Sequence, residues 1–324
     1  MHLVKSMAYV GEQPWHGLGN QLSLNQPIEI WARQAGMDWN IESAEVRFVA
    51  GVAGAAGSLG SIHAFPEQRV LYRSDTKAPL SVVSSRYQIV QPREILEFYR
   101  DLTEVGGFEL ETAGVLKDGK KLWALAKTGQ SVSLNGRDEV NGYLLLATGC
   151  DGTLATTAQF TSVRVVCNNT LAIALGDSSA AVKVPHRSLF DAQAVKRQLG
   201  IAISSWDGFV VRMKALAERK VNDAAAEAFF RRVLTYPTGG SNIPAPATND
   251  SAIKAVQALH AGRGKGATLP SASGTAWGLV NSITEFVDHQ RRARSEDHRR
   301  DAAWFGAGAT LKQKAWDEAV KLVA

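Results

Sequence analysis

Gly114-Val115-Leu116-Lys117-Asp118-Gly119-Lys120-Lys121-Leu122-Trp123-Ala124-Leu125-Ala126 is two apolar runs joined by a polar hinge. An Asp-Gly pair tolerates the left-handed backbone of a tight reversal, so the stretch predicts a hairpin of strands at 114–116 and 122–126. Strand signals continue outward on both sides. Downstream, the β-rich runs 143–147 and 158–166 flank the turn Cys150-Asp151-Gly152. Upstream, Val70-Leu71-Tyr72-Arg73 and Leu80-Ser81-Val82-Val83 read as a second hairpin around Ser74-Asp75-Thr76-Lys77-Ala78-Pro79. Residues 39–49 alternate as a strand does, and 87–90 extend the sheet. Prolines punctuate it with short helices: Pro27 opens 28–34, stopped by Gly36, and Pro92 opens a turn bearing Ile95, Leu96 and Tyr99. The first 20 residues, with Pro14-Trp15-His16-Gly17-Leu18-Gly19, read as a loop, and 51–60 as a flexible Gly/Ala/Ser connection.

After Pro185 the period changes from two to about 3.6. Helical spacing covers 188–220, 224–234, 253–260, 276–294 and 310–323, with Pro/Gly/Ser-rich linkers at 237–250 and 262–274. The predicted fold class is therefore α+β. A mainly antiparallel sheet with short helices, residues 1–185, precedes a basic, mostly helical region, residues 186–324. Charge divides along the same line. The first part carries 16 Lys and Arg against 18 Asp and Glu, the second 20 against 13, a net of +7. A segregated basic half points to an anionic partner, for which nucleic acid is the commonest candidate.

A chain of 324 residues, 45% hydrophobic and 21% charged, can bury a sizeable core and has the composition of a globular protein. Its longest apolar runs fall far short of the roughly 20 residues a bilayer needs, so no membrane partner is expected. Lys5 is followed by no apolar segment of a secretory signal. Cys150 and Cys167 are too few for a disulfide framework and sit in strand-like surroundings, as small core residues do. These readings fit a reducing cytoplasm.

Few residues suggest chemistry. The seven histidines are scattered. Asp288 and His289 with Glu285 form the nearest approach to a metal site, but only Glu285 and His289 share a helical face. No phosphate-binding loop pattern occurs, the basic stretch Gly262-Arg263-Gly264-Lys265-Gly266 reads as an exposed linker with a loop lying on phosphates as the alternative, and no nucleophile elbow is present. No catalytic residue, cofactor or metal is therefore assigned. The densest basic cluster is His289-Gln290-Arg291-Arg292-Ala293-Arg294, continuing to His298-Arg299-Arg300. Arginine forks suit phosphate oxygens, although a helical surface laced with ion pairs is the bland alternative. On the strands Tyr72, Arg73, Arg86, Tyr87, Phe160 and Arg164 are aromatic–basic neighbours, suited to stacking bases and holding backbone, or equally to cross-strand packing. Asn168, Asn169 and Thr170 read as caps of a helix following the strand.

Three stretches resemble a phage- and plasmid-borne family of unknown function. They are Asp75 with Leu80-Ser81-Val82-Val83-Ser84-Ser85-Arg86-Tyr87-Gln88-Ile89-Val90, the run Phe160-Thr161-Ser162-Val163-Arg164-Val165-Val166-Cys167-Asn168-Asn169-Thr170-Leu171, and Gly274-Thr275-Ala276-Trp277-Gly278-Leu279-Val280-Asn281-Ser282-Ile283-Thr284-Glu285-Phe286-Val287-Asp288-His289. The opening Trp15-His16-Gly17 also fits. The resemblance implies DNA metabolism of mobile elements and carries no agreed activity. By architecture alone, a sheet followed by basic helices is also similar to the phage strand-annealing recombinases.

The expected function is single-stranded DNA binding and ATP-independent strand annealing in recombination, by a homo-oligomeric ring or filament. Arg86, Tyr87, Arg164, Arg291, Arg292 and Arg294 are the expected contacts. The alternatives are an interaction or counter-defence protein that binds a host protein, and a metal-dependent nuclease using Asp288 and His289.

Overall fold

The computed structural model describes residues 7–11, 19–51, 60–106, 108–164, 166, 169–172, 181–202, 205–235 and 249–324. Trp15-His16-Gly17, Cys167, Asn168 and most of the segments 51–60 and 237–250 lie outside them. In chain order the strand-rich part runs β1 (Met7–Val10), β2 (Asn20–Leu22), α1 (Ile28–Gln34), β3 (Ile41–Ala50), β4 (Ser61–Arg73), β5 (Pro79–Ser84) and α2 (Pro92–Gly106). It continues with β6 (Glu109–Leu116), β7 (Lys121–Leu134), β8 (Asp138–Gly149), β9 (Thr156–Arg164), β10 (Asn169–Ala172) and β11 (Ala181–Val184). The helices α3 (Ala192–Ala202), α4 (Ser205–Glu218), α5 (Asp223–Leu234), α6 (Asp250–Ala258), α7 (Ala276–Glu285), α8 (Glu296–Phe305) and α9 (Ala307–Val320) follow. The fold is α+β, with strands mostly in the first half and helices mostly in the second.

The large sheet has the order β10-β9-β8-β7-β6-β1-β2, with β11 also paired to β9. All its pairs are antiparallel except β1 with β2. The hairpin that opened the sequence reading is its centre: Leu122 pairs with Val115 and Trp123 with Gly114. Its turn needs left-handed backbone at Lys117 and Asp118, φ 53° and 58°, and then Gly119, where an added Cβ would meet the Trp39 ring at 3.1 Å.

Residues 122–126 and 143–147 are apolar without alternation because both sheet faces are covered. Ala124, Ala126, Leu144 and Leu146 join the main core with α2 and the C-terminal helices. Trp123, Leu125, Tyr143 and Leu145 form the opposite face, capped by Trp304 and Phe305 of α8. Trp123 and Trp304 meet edge to face at 4.9 Å, a geometry aromatic quadrupoles favour. Among the described residues no helix is long and apolar enough to cross a membrane.

Several helices begin where a short polar side chain satisfies an orphan amide. Asn222 accepts from Ala225, Asn249 from Ala252, Thr275 from Gly278 and Ser295 from His298.

The structure corrects five local readings. Residues 87–90 form no strand. Met7–Val10 is a strand inside the expected N-terminal loop, and Asn20–Leu22 is a strand that begins at its last residue. Asn169 and Thr170 continue the sheet as β10 opposite Arg164 and Val163 instead of capping a helix. β4 begins nine residues before the predicted run, at Ser61. The helix expected over 276–294 ends regular winding at Glu285, continues as one wider turn to Gln290, and leaves its arginines in an irregular connection before α8.

Candidate nucleic-acid interface

The motifs quoted from the middle and late sequence meet at one buried carboxylate. Asp138, at the start of β8, has no solvent exposure. It accepts from Arg164 Nε at 2.6 Å and Nη2 at 2.8 Å, from Ser271 Oγ at 2.6 Å, and from the indole Nε1 of Trp277 at 3.1 Å. Arg164 also donates from Nη2 to the Gly266 carbonyl at 3.1 Å. Glu285 accepts from the Lys265 amide at 3.0 Å, and burial raises its carboxyl above the usual range. The glycine-rich basic segment 262–266 is thus fastened to the body by Arg164 on one side and Glu285 on the other.

A second buried cluster joins β10 to the last helices. Asp288 accepts from Lys312 Nζ at 2.8 Å and from the Thr170 amide at 2.8 Å, while Lys312 also donates to Thr170 Oγ1 at 2.7 Å. Burial lowers the Lys312 ammonium below its ordinary value. The carboxylate weighed as a metal ligand is therefore neutralised by an internal cation. Among the described residues no group of three or more His, Cys, Asp or Glu is arranged to hold a metal ion.

A third charged cluster, part-buried, lies where α8 meets the β6–β7 turn. Asp297 accepts from the Lys117 amide at 3.1 Å, and Asp301 accepts from Lys117 Nζ at 2.5 Å and from Lys121 Nζ. Burial opposes ionisation of Asp301, but hydrogen bonds from the two lysines hold its carboxyl below the usual range. These contacts dock the Lys117–Lys121 turn on α8, whose first residues directly follow Arg291, Arg292 and Arg294 in the chain. The two segments together carry eight Lys and Arg, of which Lys121 and Arg300 are buried, and four carboxylates, Asp118, Glu296, Asp297 and Asp301. Glu296 pairs with Arg299. Arg292 and Arg294 are exposed and make no salt bridge among the described residues. Arg300 is buried, and neither of its terminal nitrogens has a hydrogen-bond partner, nor does Nη1 of Arg291.

A family model for a domain of unknown function, DUF932, matches residues 79–304. The chain belongs to the DUF932 family. Comparisons with curated proteins and with solved structures returned no match. The DUF932 span runs from β5 almost to the end of α8 and contains Asp138, Arg164, Ser271, Trp277, Asp288 and the whole basic edge. It leaves out β3, β4 and the Lys312 that neutralises Asp288.

The six residues expected to contact a strand are not brought to one surface. Arg86 is exposed in the turn after β5. Tyr87 is buried: its hydroxyl donates to the Gly149 carbonyl at 2.5 Å and its ring stacks on His186 at 4.4 Å. Arg164 is buried on Asp138, and Phe160 is buried as well. These three are packing and pairing residues, not a platform for bases. Arg291, Arg292 and Arg294 stand together on the basic edge. Lys117, Lys120 and Lys121 were not singled out from the sequence, because nothing local indicates that a hairpin turn docks on a helix 180 residues away. Cys150 is a small core residue: its thiol donates to the Gly119 carbonyl at 3.4 Å, and burial pushes it up to about 12.

Proposed function

We propose that this protein binds single-stranded DNA through phosphate contacts along the basic edge formed by Lys117–Lys121 and Arg291–Arg300, and that several copies together present strands for ATP-independent annealing. The observation that carries this reading is the pair Arg292 and Arg294, exposed and without a carboxylate partner among the described residues. With Tyr87 and Phe160 in the interior, backbone charge replaces base stacking as the source of affinity. The likeness of the quoted motifs to a phage- and plasmid-borne family sets this activity in the recombination of mobile elements in a bacterial cytoplasm.

Gel shifts over a salt series test the reading. Affinity for a single strand should fall with a log–log slope of roughly −0.7 per phosphate neutralised. Changing Arg291, Arg292 and Arg294 together to Gln should flatten that slope by about 2 if the contacts are independent. Unchanged affinity and slope in the triple variant would remove the basic edge from the mechanism. Equal competition by duplex or by heparin would remove the single-strand preference.

A further inference from the structure

Strands β3 and β4 pair from Ile41–Arg73 to Ala50–Ser61, with Pro66–Gln68 bulged out of β4 between the Glu45–Arg69 and Val46–Phe65 pairs, whereas β5 covers only the Gln68–Tyr72 part of β4. Residues 46–50 and 61–65 therefore project as a two-stranded arm. Val46 pairs with Phe65, Phe48 with His63 and Val49 with Ile62, which places apolar side chains on both faces. Phe48 is 50% exposed, Val49 63%, Ile62 68% and Phe65 40%. A bare two-stranded ribbon is marginal in water, and apolar groups gathered this way mark a contact surface.

The outer edge of β3 is closed at its root and open beyond it. The Gln91 amide takes both polar groups of Ile41, accepting from its N–H at 2.8 Å and donating to its carbonyl at 3.1 Å. Past that point no strand pairs with this edge among the described residues. An open edge is a template for another strand.

The charges of the arm select the partner. Glu42, Glu45 and Glu67 are balanced by Arg47, Arg69 and Lys77, with Glu42 paired to Lys77 and Glu45 to Arg47, so this surface carries no excess positive charge to attract a polyanion. Its order is self-complementary. Two copies of β3 laid antiparallel about Val46 set each Glu45 opposite the other's Arg47, each Ala44 opposite Phe48, and each Ser43 opposite Val49. Opposite charges and small-against-large pairs fall together in that one register. We propose that the β3–β4 arm is a self-association surface, on which a second copy of this chain adds its own β3 edge to edge about Val46. The contact is two-fold and closes as a dimer. It supplies the first step of assembly for the proposed function, and larger assemblies need another surface.

Sedimentation velocity of the full chain without DNA tests this. The wild type should show a concentration-dependent dimer. Arg47→Glu sets two carboxylates against each other at two places and should weaken dimerisation by about tenfold or more. Combining it with Glu45→Arg should restore the dimer, an outcome that a foreign partner or general stickiness would not give. Both positions are exposed, so thermal melting should stay unchanged and report that the variants fold. A wild type that stays monomeric, which would leave the arm to a different protein, overturns the proposal. So does a dimer indifferent to Arg47→Glu, or one that the charge swap fails to rescue. Gel shifts with a short oligonucleotide separate the two readings. An arm dimer that ignores DNA leaves the self-association standing and the DNA-binding reading fallen, and a monomer that binds DNA does the reverse.

Discussion

Asp138 and Arg164 show how much one buried pair can hold. The carboxylate accepts from three side chains that belong to β9, to the segment before α7, and to α7 itself. A pair so enclosed contributes less to net stability than its contacts suggest, since both charges leave water. Removing one partner is another matter, because the other charge stays buried without compensation. Asp138→Asn should therefore lower unfolding stability by about 3–5 kcal/mol, read by urea denaturation. A loss under about 1 kcal/mol would mean that water reaches the guanidinium. In the sequence Arg164 reads equally well as a strand-surface contact or a packing residue. What decides between them is Asp138, 26 residues earlier, together with donors that lie 133 and 139 residues beyond Asp138.

At the scale of elements, the apolar runs, the Asp-Gly turn and the proline starts are local signals; they locate α1 and the start of α2, and they find the buried centres of β6, β7 and β8 but not their full lengths. The errors fall where long-range pairing overrides local preference. Thr170 has the side chain of a helix cap, but Asp288 from a distant helix takes its amide and β9 takes its backbone. The basic segment looks helical by composition, but winding stops at Glu285 and the Arg291 amide returns to the Phe286 carbonyl at 2.7 Å, a wider turn that releases the chain. The first turn of α7 is held by contact as well as by its cap. A Cβ added at Gly278 would lie 2.0 Å from the Ala272 carbonyl oxygen, a backbone atom with no freedom to retreat. Gly278→Ala, which favours an isolated helix by roughly 1 kcal/mol, should here destabilise by about 1–3 kcal/mol. A melting temperature equal to or above wild type would show that the segment before α7 can move aside.

Across the whole molecule, acid sensitivity is set by groups held away from their solution behaviour. His260, in the turn after α6, has its proton affinity lowered by burial against that turn's surroundings, with the Phe230 ring 6.0 Å away. The unfolded chain then binds a proton at this site more readily than the folded one. Stability from this group is complete above its ordinary value of 6.5 and is lost as pH falls below it. Melting temperature should decline on the acid side of neutrality, and His260→Gln should flatten that decline. An unchanged profile in the variant would assign the acid loss elsewhere. Asp75 acts later, because its hydrogen bond from Arg73 holds its carboxyl at about 2.

Order of synthesis gives the Asp138 junction a temporal meaning. Arg164 leaves the ribosome 26 residues after Asp138, whereas Ser271 and Trp277 follow by 133 and 139. For that interval the ion pair lies on an open sheet in contact with water, where such a pair is worth little. Covering it is a non-local step of the slow kind, because a long loop must close before its contacts form. The strand-rich half therefore waits for the helical half. A nascent chain stopped near residue 185 would carry a finished sheet with no lid over its central charge, a species that chaperones have reason to hold.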